Sequence, residues 1–184
     1  MVWGAETVSI TVTGELEVVV TAEPKLGYKD HPVVFKVDWF PYTPGDTYIV
    51  SIDYGDGTSD VTDARPGDEF HHVYRDVGTY RVTVTVENES TGESGSGEVE
   101  VTIEEMLTID LSASPTSGSA PLTVTFTCFA SGGYKPYSWT LDFGDGYSAS
   151  GTRSSEGSWT VEHTFESPGV YEVTLTVEDS GGEL

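Results

Sequence analysis

Carboxylates beside two glycine-rich loops are the side chains best placed to do chemistry. Asp53 and Asp56 belong to the segment Asp-Tyr-Gly-Asp-Gly, and Asp142 and Asp145 belong to Asp-Phe-Gly-Asp-Gly. Ca²⁺ takes about six to eight oxygen ligands, so both loops are candidate calcium sites. The same residues also suit a tight turn, in which Asp accepts bonds from main-chain amides and Gly takes positive φ. Because EF-hand spacing is absent, the turn is favoured and calcium remains the alternative.

Catalysis is not predicted. His72 and His163 occupy equivalent positions in the chain, which indicates a packing role in a turn rather than a general base. Cys128 alternates with Phe126 along an apolar run, so we expect a buried and unreactive thiol. Neither a phosphate-binding glycine loop nor zinc-ligand spacing is found in the sequence. We therefore predict that the protein is not an enzyme and has no certain cofactor.

Two features could involve sugars. Asn88-Glu-Ser90 is an N-glycosylation sequon in a polar segment that should be exposed, so a glycan is expected there if the protein is secreted. Several aromatic residues of the second half of the chain could bind glycans or pack against neighbouring subunits. Trp139 among them is expected in the core, whereas Tyr134, Tyr137 and Trp159 are expected to be freer. The full set is Tyr134, Tyr137, Trp139, Tyr147 and Trp159.

Charge narrows the range of partners. The 184 residues include 8 Lys plus Arg and 31 Asp plus Glu, a net charge of -23. Such a chain lacks the basic face that binds phosphates, which excludes nucleic acid and anionic membranes as partners. No apolar run approaches the roughly 20 residues of a membrane span, so membrane insertion is not expected. A single cysteine excludes an internal disulfide framework.

The chain contains a tandem repeat. His72-Val-Tyr74 matches His163-Thr-Phe165, and Val82-Thr-Val-Thr-Val86 matches Val173-Thr-Leu-Thr-Val177, each at an offset of 91 residues. The Asp-x-Gly-Asp-Gly segments are offset by 89, so the length differences fall in loops. Apolar residues within each copy alternate with polar ones, which predicts strands with one buried face.

This pattern predicts an all-β protein of two tandem sandwiches. We place the first sandwich at residues 14–105 and the second at residues 106–184, with an extra N-terminal strand at residues 1–13.

The ordered motifs resemble a known family. Asp-Phe-Gly-Asp-Gly, then His-x-Phe, then Pro-Gly-x-Tyr-x-Val-x-Leu-x-Val is similar to the PKD (polycystic kidney disease) domain, most fully in the second copy. The first copy departs early, with His31-Pro32 and Val50 in place of the usual residues. The resemblance implies immunoglobulin-like sandwiches on cell surfaces, in secreted enzymes or in envelope layers, with roles in spacing, adhesion and assembly. It also implies that Tyr80 and Tyr171 are corner tyrosines.

The two ends of the chain are out of phase with the repeat. Residues 5–24 align with 96–115, which sets Val8, Ile10 and Val12 against the last strand of the first sandwich. Strand 173–178, at the other end, is followed by only a few residues. The second sandwich is therefore expected to lack its final strand and to expose an apolar groove at Val173, Leu175 and Val177.

These ends predict self-assembly. Donation of Val8, Ile10 and Val12 into the groove of another copy would give a head-to-tail homopolymer, an extracellular or cell-surface filament. One alternative is an adhesion or carbohydrate-binding spacer excerpted from a larger secreted or surface protein. A virion surface protein is the other. All three alternatives are structural and non-catalytic.

Overall fold

The computed structural model describes residues 15–181, and these residues are all-β. Fourteen strands are found in this part of the chain, and no helix in it has the length and hydropathy needed to cross a membrane. Contacts divide the chain near residue 103 into two compact units. Each unit is a two-sheet sandwich, as the repeat predicts.

The first sandwich consists of eight strands. Three of them form one sheet in the order β1-β3-β6, and five form the other in the order β2-β8-β7-β4-β5. The strands are β1 (Glu17–Glu23), β2 (Leu26–Tyr28), β3 (Pro32–Phe40), β4 (Tyr48–Asp53), β5 (Ser59–Asp63), β6 (Glu69–Val73), β7 (Gly78–Asn88) and β8 (Ser94–Glu104).

The second sandwich consists of six strands in two sheets of three. Their orders are β13-β10-β9 and β12-β11-β14. The strands are β9 (Thr108–Ser114), β10 (Leu122–Ser131), β11 (Tyr137–Asp142), β12 (Ser148–Arg153), β13 (Gly157–Phe165) and β14 (Thr174–Glu178).

Period-2 alternation explains the cores of both sandwiches. Val33, Phe35 and Val37 of β3 are completely buried, whereas the residues between them are more exposed. Phe126 and Cys128 of β10 hold the equivalent places in the second core. Successive strand residues point to opposite faces of a sheet, so this spacing puts one face of each strand in the core.

Candidate functional site

The strands of the two sandwiches correspond one to one except at a single edge. The sheet order β12-β11-β14 repeats the order β5-β4-β7, and β13-β10-β9 repeats β6-β3-β1. In the first sandwich β8 and then β2 continue the sheet beyond β7. Within residues 106–181, no strand takes the place of β8 beside β14. The second sandwich therefore presents an edge that the first sandwich covers.

Strand β8 closes the first sandwich because it contacts both sheets. Its inward side chains Val99, Val101 and Ile103 are buried in the core. Its glycines lie directly against β1 of the opposite sheet. A Cβ added to Gly97 would lie 2.7 Å from the carbonyl oxygen of Val18, and one added to Gly95 would collide with the carbonyl of Leu16. Only glycine permits so close an approach of two backbones.

The inward side chains of β14 are less protected than those of β7. Val82, Val84 and Val86 are all 0% exposed, whereas Leu175 is 9% exposed and Val177 is only half-buried. Strand β14 is also shorter, with five residues against eleven in β7. Val173 lies just before β14 and is likewise half-buried. Among the described residues, the strand without an outer neighbour is thus the shorter of the two, and its apolar face is more exposed.

The same edge is open on the opposite sheet. Ile109 of β9 is 46% exposed, whereas its counterpart Val18 of β1 is 9% exposed. Leu111 and Ala113 of β9 are half-buried, although the residues at their positions in β1 are buried. One strand in the first sandwich covers both β1 and β7, and both equivalents of those strands are uncovered in the second.

Between these two uncovered faces lies an apolar groove of about 930 Å³. Its walls are formed by residues of the β13-β10-β9 sheet, by the loops 115–120 and 167–171, and by Val173 just before β14. Of the three predicted acceptor residues, Val173 belongs to the lining, whereas Leu175 and Val177 do not. The other core residues in the lining are Leu111, Ala113, Val124, Phe126 and Phe165.

The sequence-predicted acceptor residues are thus brought together on one edge. Val173, Leu175 and Val177 all pack against the core cluster of the second sandwich. The predicted donor residues Val8, Ile10 and Val12 lie outside the described residues, so strand donation stays a prediction.

The first acidic loop is a hydrogen-bonded turn. Asp53 Oδ1 accepts from the Gly55 amide at 2.9 Å, and Asp56 Oδ1 accepts from the amide and hydroxyl of Thr58. The other oxygen of Asp56 accepts from His72 Nε2 at 2.7 Å. Burial raises the pKa of Asp56, but the bonds from Thr58 and His72 outweigh it and lower the pKa overall.

The second loop repeats this arrangement. Asp142 accepts from the Gly144 amide, and Asp145 accepts from the Tyr147 amide and from His163 Nε2 at 2.6 Å. The His163 bond is the main cause that lowers the pKa of Asp145. Since a carboxylate only accepts, the histidine nitrogen carries the proton in both pairs. The favoured sequence interpretation, a turn, is what the structure contains.

Calcium has no assembled site at these loops. Across residues 15–181, no three His, Cys, Asp or Glu side chains converge as a metal site requires. Oxygens from all four candidate carboxylates, Asp53, Asp56, Asp142 and Asp145, already accept main-chain or side-chain bonds.

The two histidines pack in the turns, as expected. His72 stacks on Tyr54 with ring centroids 4.0 Å apart, and His163 stacks on Phe143 at 3.9 Å. Tyr171 donates its hydroxyl to the carbonyl of Ser167, which is the corner arrangement that the resemblance implied. These ring contacts and the Tyr171 hydrogen bond hold the loops in place.

The sequon at Asn88 is not exposed, and this expectation is wrong. Asn88 ends β7 and is 2% exposed. Its Nδ2 donates to Asp46 at 2.8 Å, and its Oδ1 accepts from the amides of Ser90 and Thr91. The side chain therefore organises the turn after β7, and its amide nitrogen is engaged within the fold.

Four of the five aromatic residues are buried or partly buried, and Tyr147 is 69% exposed. Tyr134 and Tyr137 are buried, contrary to the expectation that they are freer, and the Tyr137 hydroxyl donates to the carbonyl of Gly132. Trp159 is partly buried between Trp139, at a centroid distance of 5.5 Å, and the guanidinium of Arg153. Trp139 is itself only partly buried, less than a core position implies.

Cys128 is buried, as predicted. Burial also raises the pKa of its thiol, which disfavours the reactive thiolate.

Comparison with known proteins identifies the family. The PKD-domain model matches residues 15–101 and again residues 108–184. The chain belongs to the PKD-domain family. Its two PKD domains coincide with the two sandwiches, and the first match ends within β8.

Human Polycystin-1 is a relative of these tandem PKD domains. It is 31% identical over 155 residues, which cover 83% of this chain but only 3% of Polycystin-1. The chain thus spans a small fraction of that relative.

Two solved PKD domains are also similar. One is from an M14-like peptidase of Thermoplasmatales archaeon SCGC AB-540-F20, at 27% identity and a TM-score of 0.41, covering 47% of this chain and 91% of that one. The other is from the human receptor SorCS2, at 24% identity and a TM-score of 0.40, covering 61% and 86%.

Proposed function

We propose that this protein is a non-catalytic structural subunit that assembles head-to-tail at an extracellular or cell surface. Residues 1–13 of one copy form the strand that pairs with β14 of the next copy. Val8, Ile10 and Val12 occupy the positions that Val99, Val101 and Ile103 hold in the first sandwich. Repetition of this contact gives a filament, because the donor and acceptor surfaces are different and the contact need not close.

The observation that carries the proposal is the uncovered edge of the second sandwich. Ile109 and Val177 are exposed or half-buried, whereas the same positions in the first sandwich are sealed by β8. An unpaired strand edge with an apolar groove is a template for another strand. The repeat alignment supplies a segment of matching pattern, residues 6–12, within the same chain.

Order-of-magnitude free energies predict that the contact between two copies forms but is weak. Full burial of each of three branched side chains contributes about 1.5–3 kcal/mol. Association costs about 4–15 kcal/mol in lost freedom, so apolar burial alone is close to balance. Main-chain hydrogen bonds along β14, at about 0.5–1.5 kcal/mol each, are then needed for net affinity.

Charge opposes the assembly at low salt. Each copy carries a net charge of -23, so neighbouring subunits repel one another. Exposed charges more than about 8–10 Å apart are largely screened at 0.1–0.15 M salt, so assembly is expected to strengthen with ionic strength.

The test is the size of the intact chain in solution. The wild-type protein in 0.15 M salt should form long fibres, seen by light scattering and negative-stain microscopy. Ile10→Asp places a charge in the groove contact and should leave the chain monomeric. Val19→Asp is the matched control, because Val19 is 50% exposed on the outer face of β1 and the change adds the same charge.

A wild-type chain that stays monomeric at low and high salt would overturn the assembly. Equal polymerisation of the Ile10→Asp and Val19→Asp proteins would also overturn it, since the donor strand would then be dispensable.

A spacer module of a larger surface protein is the second candidate, in an adhesive or carbohydrate-binding role. It is favoured by the relation to Polycystin-1, of which the chain matches only 3%. A strand from the same polypeptide would then cover β14, and the isolated chain would be monomeric in the experiment above.

A further inference from the structure

Glu98 of β8 forms an ion pair with Arg81 of β7. On the outward face of the sheet, Arg81 of β7 donates from Nε to an Oε2 oxygen of Glu98 at 2.9 Å. Both side chains are well exposed, so the pair contributes little to stability by itself. It does, however, put a cation where the neighbouring strand presents a carboxylate.

In the second sandwich, the position equivalent to Arg81 carries a negative charge. Glu172 stands 91 residues after Arg81, which is the equivalent position in the second repeat, and it is exposed. Thr174 and Thr176 follow on the same face, and Glu178 completes it. The outward side of the β14 edge is therefore acidic and contains no cation equivalent to Arg81.

The donor segment has neutral residues where β8 has acidic residues on its outward face. Thr7 occupies the position of Glu98 in the repeat alignment. The neighbouring outward positions change in the same sense, from acidic to neutral. They are Ser9 for Glu100 and Thr13 for Glu104.

We infer that the outward-facing residues select which strand enters which sandwich: Glu98 of β8 matches Arg81, whereas the neutral Thr7 of the donor strand matches Glu172. The inference rests on the proposed function and names its specificity determinants. Like charges placed side by side on neighbouring strands destabilise the pair, and opposite charges stabilise it. Strand β8 of one copy is thereby disfavoured in the groove of another, and the donor strand is accepted there. Such discrimination prevents exchange of β8 between copies, which would compete with head-to-tail growth.

The test compares the wild type and four variants by their critical concentrations for assembly, measured by sedimentation. Thr7→Glu makes the donor resemble β8, and it should raise the critical concentration about two- to five-fold. Glu172→Arg alone should change it little, because Thr7 is neutral. The double variant restores a Glu–Arg pair and should assemble at least as well as the wild type. Thr160→Glu is the matched control, since it adds the same charge at an exposed position of β13.

The outcomes separate this inference from the proposed function. If the wild type assembles and Thr7→Glu behaves like Thr160→Glu, the charge selection is wrong while strand donation stands. If Thr7→Glu is impaired but Glu172→Arg does not rescue it, the pairing of these two positions is wrong. If the wild type does not assemble, strand donation fails and the selection fails with it.

Discussion

The edge of β7 in the first sandwich is covered by β8, whereas the edge of β14 in the second sandwich has no such neighbour within the described residues. The two sandwiches share their strand order, their turn motifs and their core pattern. Within the described residues only the first sandwich has the strands β8 and β2, and β8 contacts both sheets. Its absence is visible at Ile109, which is 46% exposed, as well as at β14.

In this comparison, β8 mainly covers the edge where the two sheets meet and contributes less to the centre of the core. The central residues Phe126 and Leu141 of the second sandwich are buried without it. Only the residues next to the edge lose protection. Within the described residues, the central core of the second sandwich is therefore enclosed although β14 forms an open edge of its sheet.

The largest contrast is expected from an Asp introduced at the equivalent positions of β1 and β9. Val18→Asp buries a charge without a partner and should destabilise the first sandwich by about 3 kcal/mol or more. Ile109 is 46% exposed at the open edge, so Ile109→Asp should cost at most about 1 kcal/mol in the monomer, yet it should abolish assembly. Urea unfolding and sedimentation measure the two effects. Equal loss of stability in both variants would show that the second edge is as closed as the first.

The second contrast is between Gly95 of β8 and Gly4, its equivalent in the donor segment. Gly95→Ala sets a methyl group against the Leu16 carbonyl, and such overpacking should cost about 1–3 kcal/mol. Gly4 is 91 residues before Gly95, so Gly4→Ala should leave the stability of both sandwiches unchanged but weaken assembly. Thermal unfolding and light scattering test the pair. A full-strength polymer from Gly4→Ala would mean that the donor does not reproduce the register of β8.

The side chain at position 6 also affects how the donor strand fits beside β9. Glu6 stands where β8 has Gly97, so the donor strand requires more room beside Ile109 than β8 has beside Val18. Ile109 is 46% exposed, against 9% for Val18, so its side chain is less covered than that of Val18.

The smallest effect concerns the turn carboxylates, in which the two sandwiches should behave alike. The pKa values of Asp56 and Asp145 are lowered in the folded protein. Their contribution to stability is therefore complete above the unfolded pKa of about 3.9 and is lost as the pH falls through the lower folded value. Melting temperatures between pH 6 and pH 2 should show this loss. Asp56→Asn should reduce both the stability at pH 6, by about 1 kcal/mol, and the acid dependence of the first sandwich. Asp145→Asn should reduce the acid dependence of the second, and an unchanged pH profile in both variants would contradict the assignment.

Several features of the site were predictable from particular residues. The match of Val173-Thr-Leu-Thr-Val177 with β7 predicted the strand at the open edge of the second sandwich, because period-2 alternation identifies the inward face. The repeat also predicted that His72 and His163 pack in turns. By contrast, the burial of Asn88 depends on Asp46, which is 42 residues away in the chain and meets it only in the folded sandwich. Tyr134 lies in the loop before β11 and Tyr137 begins that strand, and both are buried although they were expected to be freer.

By itself the sequence determined the fold class, the two repeats, the turn chemistry of the Asp-x-Gly-Asp-Gly loops and the strand that borders the open edge. These properties follow from short-range patterns: alternation, loop glycines and a fixed offset between copies. Tertiary structure alone decided which apolar residues are sealed and which are open. The exposure of Ile109 and the contact of Gly95 with β1 arise from strands far apart in sequence, because a sandwich core is closed by long-range pairing and not by the pattern of any one strand.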